Sequence, residues 1–164
     1  MDATIAYKQA YARLGQLTPI AADCGRLCDK RCCQGGDGDG MILFPGEPPL
    51  GSLTVTDAEI GGVPVRFAVC PGRCKREQRP LSCRIFPFAP YLDSNGEIAV
   101  IADPRAEPVC PLVSETALPM VDPRFVRAVR DVFVRLLAVD GMRPLLAAYS
   151  RMLDDYKSDL LAFK

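Results

Sequence analysis

The sequence predicts an α+β fold: a cysteine-rich centre with short antiparallel hairpins, flanked by an N-terminal helix and a C-terminal helical hairpin. Three observations predict it. The first and last stretches carry apolar residues at helical spacing, the middle carries short β-branched and aromatic runs punctuated by Gly and Pro, and the eight cysteines all fall in or beside that middle part. The 164 residues read as a single domain, 1–164, with a cysteine-cluster core at 18–111 and the helical hairpin at 122–162.

A helix is predicted from Asp2 to Leu17, because Tyr7, Ala10, Tyr11, Leu14 and Leu17 recur at spacings of three and four. Thr18-Pro19 ends or redirects it. Cys24, Cys28 and Cys32 follow at i, i+4 and i+8, which sets three thiols on one side of a helical stretch. A loop fits equally well, since Gly25 weakens helix and the glycine-rich run 35–40 breaks it. Met41–Phe44 suits a short strand, and Pro45–Pro49 a turn or extended connector. Leu53–Thr56 and Val63–Val69 read as strands joined across Gly61-Gly62. Pro64 argues that the second of these is an edge strand or begins late. Phe88–Leu92 and Ile98–Ala102 form a further hairpin across Ser94–Glu97, where Asn95-Gly96 favours a primed turn. Asp122-Pro123 places an N-cap before a proline at the first helical position. Phe125, Val129, Val132, Phe133, Leu136 and Leu137 then mark one face of a helix to about Ala138. After Asp140-Gly141 a last helix runs from Pro144 to Leu161, with Leu145, Leu146, Tyr149, Met152, Leu153, Tyr156 and Leu160 on its apolar side; the two helices are expected to pair antiparallel.

Composition bounds the function. Twenty basic residues balance twenty acidic ones, so no global field attracts nucleic acid, and none is expected as a partner. No apolar run is long enough for a membrane span, and the opening residues carry neither a basic nor an apolar signal region. A cytoplasmic location is therefore expected, where thiols stay reduced. Eight cysteines in 164 residues lie below the roughly 8–10% typical of short disulfide scaffolds.

Four of the cysteines, Cys24, Cys28, Cys32 and Cys33, fall within ten positions; the others are Cys70, Cys74, Cys83 and Cys110. Thiolate is a soft ligand that selects zinc, iron–sulfur clusters or monovalent copper, and four suffice for zinc or a four-iron cluster. The absence of histidine excludes a mixed Cys/His zinc finger. Arg26, Lys30, Arg31, Arg73, Lys75, Arg76, Arg79 and Arg84 surround the cysteines against only Asp23, Asp29 and Glu77, a balance that favours thiolate and offsets the charge of a metal–thiolate centre. Arg79 and Arg84 are candidates to anchor the site through carbonyls or carboxylates, with Glu47 and Glu77 as candidate partners. Cys110 reads either as a further ligand or as a buried free thiol. The bacterial ferredoxin run, the thioredoxin C-x-x-C and the two-pair zinc ribbon are all absent, and a radical-type C-x3-C-x2-C fails because Arg31 stands at the third position. An EF-hand loop starting at Asp37 fails at Met41 and Pro48, which cannot supply side-chain oxygens, and the glycine-rich run lacks the ending of a phosphate loop.

The segment Cys24–Cys33, ending in the pair Cys32-Cys33, together with Cys74-Lys-Arg-Glu-Gln-Arg-Pro-Leu-Ser-Cys83-Arg-Ile-Phe-Pro87, resembles the YkgJ-like cysteine-cluster (CxxCxxCC) family, whose cysteines are taken to chelate zinc or iron. The Arg-Pro-x-x-Cys-Arg-x-Phe-Pro part is the specific half; in the first half the spacings are three and three where the family has two and two. The resemblance spans about Cys24 to Pro90. It implies a metal-centred core and implicates Cys24, Cys28, Cys32, Cys33, Cys74 and Cys83, and it does not extend to Cys70 or Cys110. It also implies, by analogy with a branch linked to methylation of flagellin lysines, a role in protein modification, although no catalytic motif beyond the cysteines is present.

The leading expectation is a small metal-binding protein whose cysteines chelate zinc or an iron–sulfur cluster, serving metal handling, electron transfer or a modification reaction. Two alternatives stand beside it. One is a structural-zinc module that docks a protein partner, with Arg124, Arg127 and Arg130 as a basic stripe. The other is a thiol–disulfide redox protein using Cys32 or Cys33.

Overall fold

The computed structural model describes residues 2–36 and 38–162. Asp37, and with it the first position of the tested calcium loop, lies outside the described residues. The fold is α+β, with five α-helices and two small antiparallel sheets among the described residues.

Helix α1, Ala3–Leu14, starts on the Asp2 side chain, which accepts from the Thr4 amide, and buries Ala6, Tyr7, Ala10 and Leu14. It ends at Leu14, three residues before the expected Leu17, with Gly15 as its C-cap. Strand β1, Gly40–Leu43, runs into the turn Phe44–Glu47, closed by a Glu47 amide to Phe44 carbonyl bond of 2.9 Å. Pro45 and Gly46, with φ 75° at the glycine, are the residues that a type II turn requires. Strand β2 spans Val55–Ile60, starting two residues later and ending four residues later than the expected Leu53–Thr56; with strand β3, Val63–Val69, it forms the expected hairpin, and the first sheet has the order β1-β3-β2. Strand β3 is therefore central, which corrects the edge-strand expectation. Its proline is tolerated because β1 pairs only with Arg66–Val69, so Pro64 lies beyond the end of β1 and faces only Glu59 of β2.

The five-residue helix α3, Leu81–Ile85, had no periodic signal and was not expected. Strands β4, Phe88–Leu92, and β5, Ile98–Ala102, pair as the second sheet with the expected bounds. Their connection is not a primed turn. Only Gly96 takes positive φ, 76°, and the Asp93 carboxylate accepts from the amides of Asn95 and Glu97 to hold a longer loop. Helix α4, Pro123–Leu136, is capped by Asp122; helix α5 spans Met142–Ala162. The two are consecutive across Gly141, yet their main packing is elsewhere, α4 on α1 and β5, α5 on β4. Both apolar faces are taken up by the sheet and by α1, which corrects the self-paired hairpin. The proposed basic stripe is divided too, since Arg124 pairs with Asp122 at 2.8 Å and Arg130 donates to the Ile98 carbonyl at 3.1 Å.

One continuous core joins these elements. Phe44 meets Phe133 edge-on with ring centres 4.8 Å apart, and Phe88 meets Phe125 at 6.0 Å. None of the short helical turns at 25–28, 31–33 and 76–78 contributes a buried residue. The cysteine-bearing segments are thus an irregular layer laid against a core built by other parts of the chain. No helix among the described residues is long and apolar enough to cross a membrane.

Candidate metal centre

The first cysteine segment begins as one helical turn, α2, Gly25–Cys28. It does not continue to Cys32. Asp29 and Lys30 both take left-handed φ, 50° and 54°, and the chain restarts as a 3-10 turn, Arg31–Cys33. The i, i+4, i+8 face is therefore broken after Cys28, but the reversal turns Cys32 back towards the same small cavity. Cys24, Cys28, Cys32 and Cys110 line a cavity of about 20 Å³ together with Phe86 and Pro87. Cys110 reaches it from the turn after β5, on a backbone held by its amide bond of 2.8 Å to Ala106.

Cys33 lies on the other side of this turn. Its following residues Gln34-Gly35 press against Cys70-Pro71-Gly72. A Cβ on Gly35 would stand 2.6 Å from the Gly72 nitrogen, and one on Gly72 would stand 2.7 Å from the Gln34 oxygen. Both glycines take positive φ, 71° and 79°, so the close approach of the two loops depends on them. Cys83 sits on α3, whose position is fixed from below. The Leu81 amide donates to the Glu47 carboxylate at 2.8 Å, and the Ser82 hydroxyl donates to the Ile42 carbonyl at 2.6 Å.

Charge binds this region together. Burial pushes the Cys83 thiol up to about 12, reinforced by Cys33, Cys70 and Cys74 beside it. Burial also raises Cys24, with Cys110 and Cys28 adding to it, and raises Cys110, with Cys28 adding. The Sγ atoms of Cys32 and Cys33 are 3.9 Å apart; this contact raises the Cys32 thiol and lowers that of Cys33, to which Arg79 and Lys30 also contribute. Burial opposes the charge of the Arg79 guanidinium, but the influence of Cys74, Cys33 and Cys83 holds it firmly protonated. Its Nε is buried and has no hydrogen-bond partner. Arg84 donates to the carbonyls of Arg79 and Glu77 at 3.0 and 3.2 Å, and its guanidinium lies 4.5 Å from the Tyr11 ring centre. Its partners are thus carbonyls and a ring. Glu47 turns elsewhere, accepting from Tyr11, Phe44 and Leu81.

All eight cysteines are free thiols, Cys32 exposed and the others half-buried. Among the described residues no group of three or more cysteine, aspartate or glutamate side chains is disposed to hold a metal ion as placed. The backbone brings the thiols into two neighbourhoods, and ligation in either requires side-chain rotation. Cys28 and Cys110 also border a broad cleft of about 970 Å³ lined by Arg26, Arg31, Gln34 and Glu107.

No family model, no curated protein and no solved structure matches this chain.

Sequence reasoning named all eight thiols but missed Glu47 as the post under α3 and the Gly35–Gly72 contact. The Phe-Pro-Gly-Glu turn was visible for the first; nothing local signalled the second.

Proposed function

We propose that this protein binds metal through its cysteines, as zinc or a four-iron iron–sulfur cluster, and works in metal handling or electron transfer. The observation that carries the reading is convergence. Four thiols from two distant stretches of chain, Cys24–Cys32 and Cys110, line one cavity, and the Cys33 Sγ lies 3.9 Å from that of Cys32. Burial first, and neighbouring cysteines after it, raise the pKa of Cys83 and Cys24. A soft cation among them reverses that balance and draws off the protons. The nearby guanidinium groups then offset the negative charge that thiolate ligation leaves behind. The resemblance of Cys74–Pro87 to the cysteine-cluster family supports the same reading, as does the free state of all eight cysteines.

The test is elemental analysis of protein purified without oxygen, with a thiol count after denaturation. Stoichiometric zinc in colourless protein, or iron with inorganic sulfide in brown protein, is the expected result, and Cys33→Ser and Cys83→Ser lower it. Metal-free protein overturns the reading. Few titratable thiols in that metal-free protein would point to disulfides instead.

A further inference from the structure

We propose that the eight cysteines form two separate four-thiolate centres, Cys24, Cys28, Cys32 and Cys110 in one and Cys33, Cys70, Cys74 and Cys83 in the other. This rests on the reading that the cysteines hold metal, and adds to it the number of centres, their ligands and their different access to solvent.

The first set is defined by a shared cavity. All four of its thiols line the same space of about 20 Å³, and no thiol of the second set does. The second set is defined by the Gly35–Gly72 crossing, which brings the chain just after Cys33 against the chain between Cys70 and Cys74; Cys83, on α3, is the thiol that remains. Only the Cys32–Cys33 contact crosses the boundary, and it makes the centres neighbours.

Ligand number agrees with the division. Four thiolates close a tetrahedral zinc site or hold a four-iron cluster, so eight in two groups of four leave none spare. The resemblance to the cysteine-cluster family reaches three cysteines of each set and stops short of Cys110 in one and Cys70 in the other. The fold supplies the missing fourth in both places.

Access differs. Cys28 and Cys110 border the broad cleft, whereas none of Cys33, Cys70, Cys74 and Cys83 lines it. The first centre is therefore the exchangeable one, open to a chelator or a redox partner, and the second is the retained one.

The experiment is metal content per chain in the full-length protein, purified without oxygen, with the variants Cys110→Ser, Cys70→Ser, Cys24→Ser/Cys110→Ser and Cys70→Ser/Cys110→Ser. Each single variant is expected to keep about half of the wild-type metal, the pair within one set the same half, and the pair across sets none, because losses at independent sites add and losses within one site do not. A wild-type protein with one zinc or one cluster overturns the division while leaving metal binding intact, as does a single variant that empties the protein. Wild-type protein with no metal overturns the underlying reading instead. Release from unmodified protein into a chelator needs no variant. Two phases of equal amplitude are expected, the faster one abolished in Cys110→Ser, and a single phase overturns the inference.

Discussion

At the scale of single residues, Glu47 shows how a buried charge is made tolerable. It is fully buried. Burial pushes its carboxyl up, while the Tyr11 hydroxyl and the Leu81 and Phe44 amides pull it back. Those three donors come from α1, the start of α3 and the residue just after β1, so one side chain ties these three elements together. Glu47→Gln places an amide donor opposite existing donors and is expected to cost roughly 2–4 kcal/mol in a urea titration. Tyr149 gives a pH test. Burial raises its phenol to about 12, against an ordinary value of 10.0. The folded state thus holds this proton more tightly than the unfolded chain. The stability linked to it is fully present below pH 10 and is lost as pH rises towards 12, by roughly 2–3 kcal/mol. Tyr149→Phe lacks that proton, so its unfolding midpoint falls less steeply between about pH 9.5 and 11.5 than the wild type's. An identical slope in both proteins would show that Tyr149 carries none of the alkaline loss.

At the scale of elements, the loop crossing at Gly35 and Gly72 can be probed without touching a thiol. Gly72→Ala combines an unfavourable φ with a 2.7 Å approach to the Gln34 oxygen, and is expected to cost about 1 kcal/mol from the backbone and 1–3 kcal/mol more from the overlap. Gly62→Ala is the control, with φ +83° but open space around the added carbon. It is expected to lose about 1 kcal/mol and keep its metal, whereas Gly72→Ala loses metal with all eight thiols intact. Equal metal in both variants would show that the crossing does not position Cys33. The same crossing marks what could be read in advance. Strands β4 and β5 were legible residue by residue, because alternation and flanking turn residues are local signals. So was α4, whose Asp122-Pro123 start carries its own cap. The break after Cys28 was not, because Asp29 and Lys30 are ordinary residues driven to positive φ by their surroundings. The candidate cysteines were legible from spacing alone, but the placement of Cys32 and Cys33 on opposite sides of one turn depends on contacts forty to eighty residues away along the chain. The packing of α5 on β4 rather than on α4 was hidden for the same reason, since an apolar stripe states that it will be covered and not by what.

At the scale of the whole molecule, the fold divides its stability unequally. Helices α1, α4 and α5 with both sheets carry the continuous core, whereas the turns at 25–28, 31–33 and 76–78 hold no fully buried residue. Ordering a residue costs about 1–2 kcal/mol of conformational entropy, and apolar burial does not repay it in those turns. Their backbone bonds and the Gly35–Gly72 contact offset part of that cost; on the proposed function, ligated metal supplies the rest. Metal removal is then a local event, as regions with few buried apolar contacts open before the core does. Trypsin reads this directly, since Arg26, Lys30, Arg31, Arg73 and Lys75 all lie in the cysteine segments, while Arg130 is anchored on Ile98. Chelated protein is expected to be cut first at those five positions, with the fragment beyond residue 80 persisting and its helical circular dichroism largely retained. Untreated protein should resist at the same enzyme concentration. A cleavage pattern unchanged by the chelator would mean that the loops are held by the polypeptide alone, and that their thiols are brought together for a purpose other than holding metal.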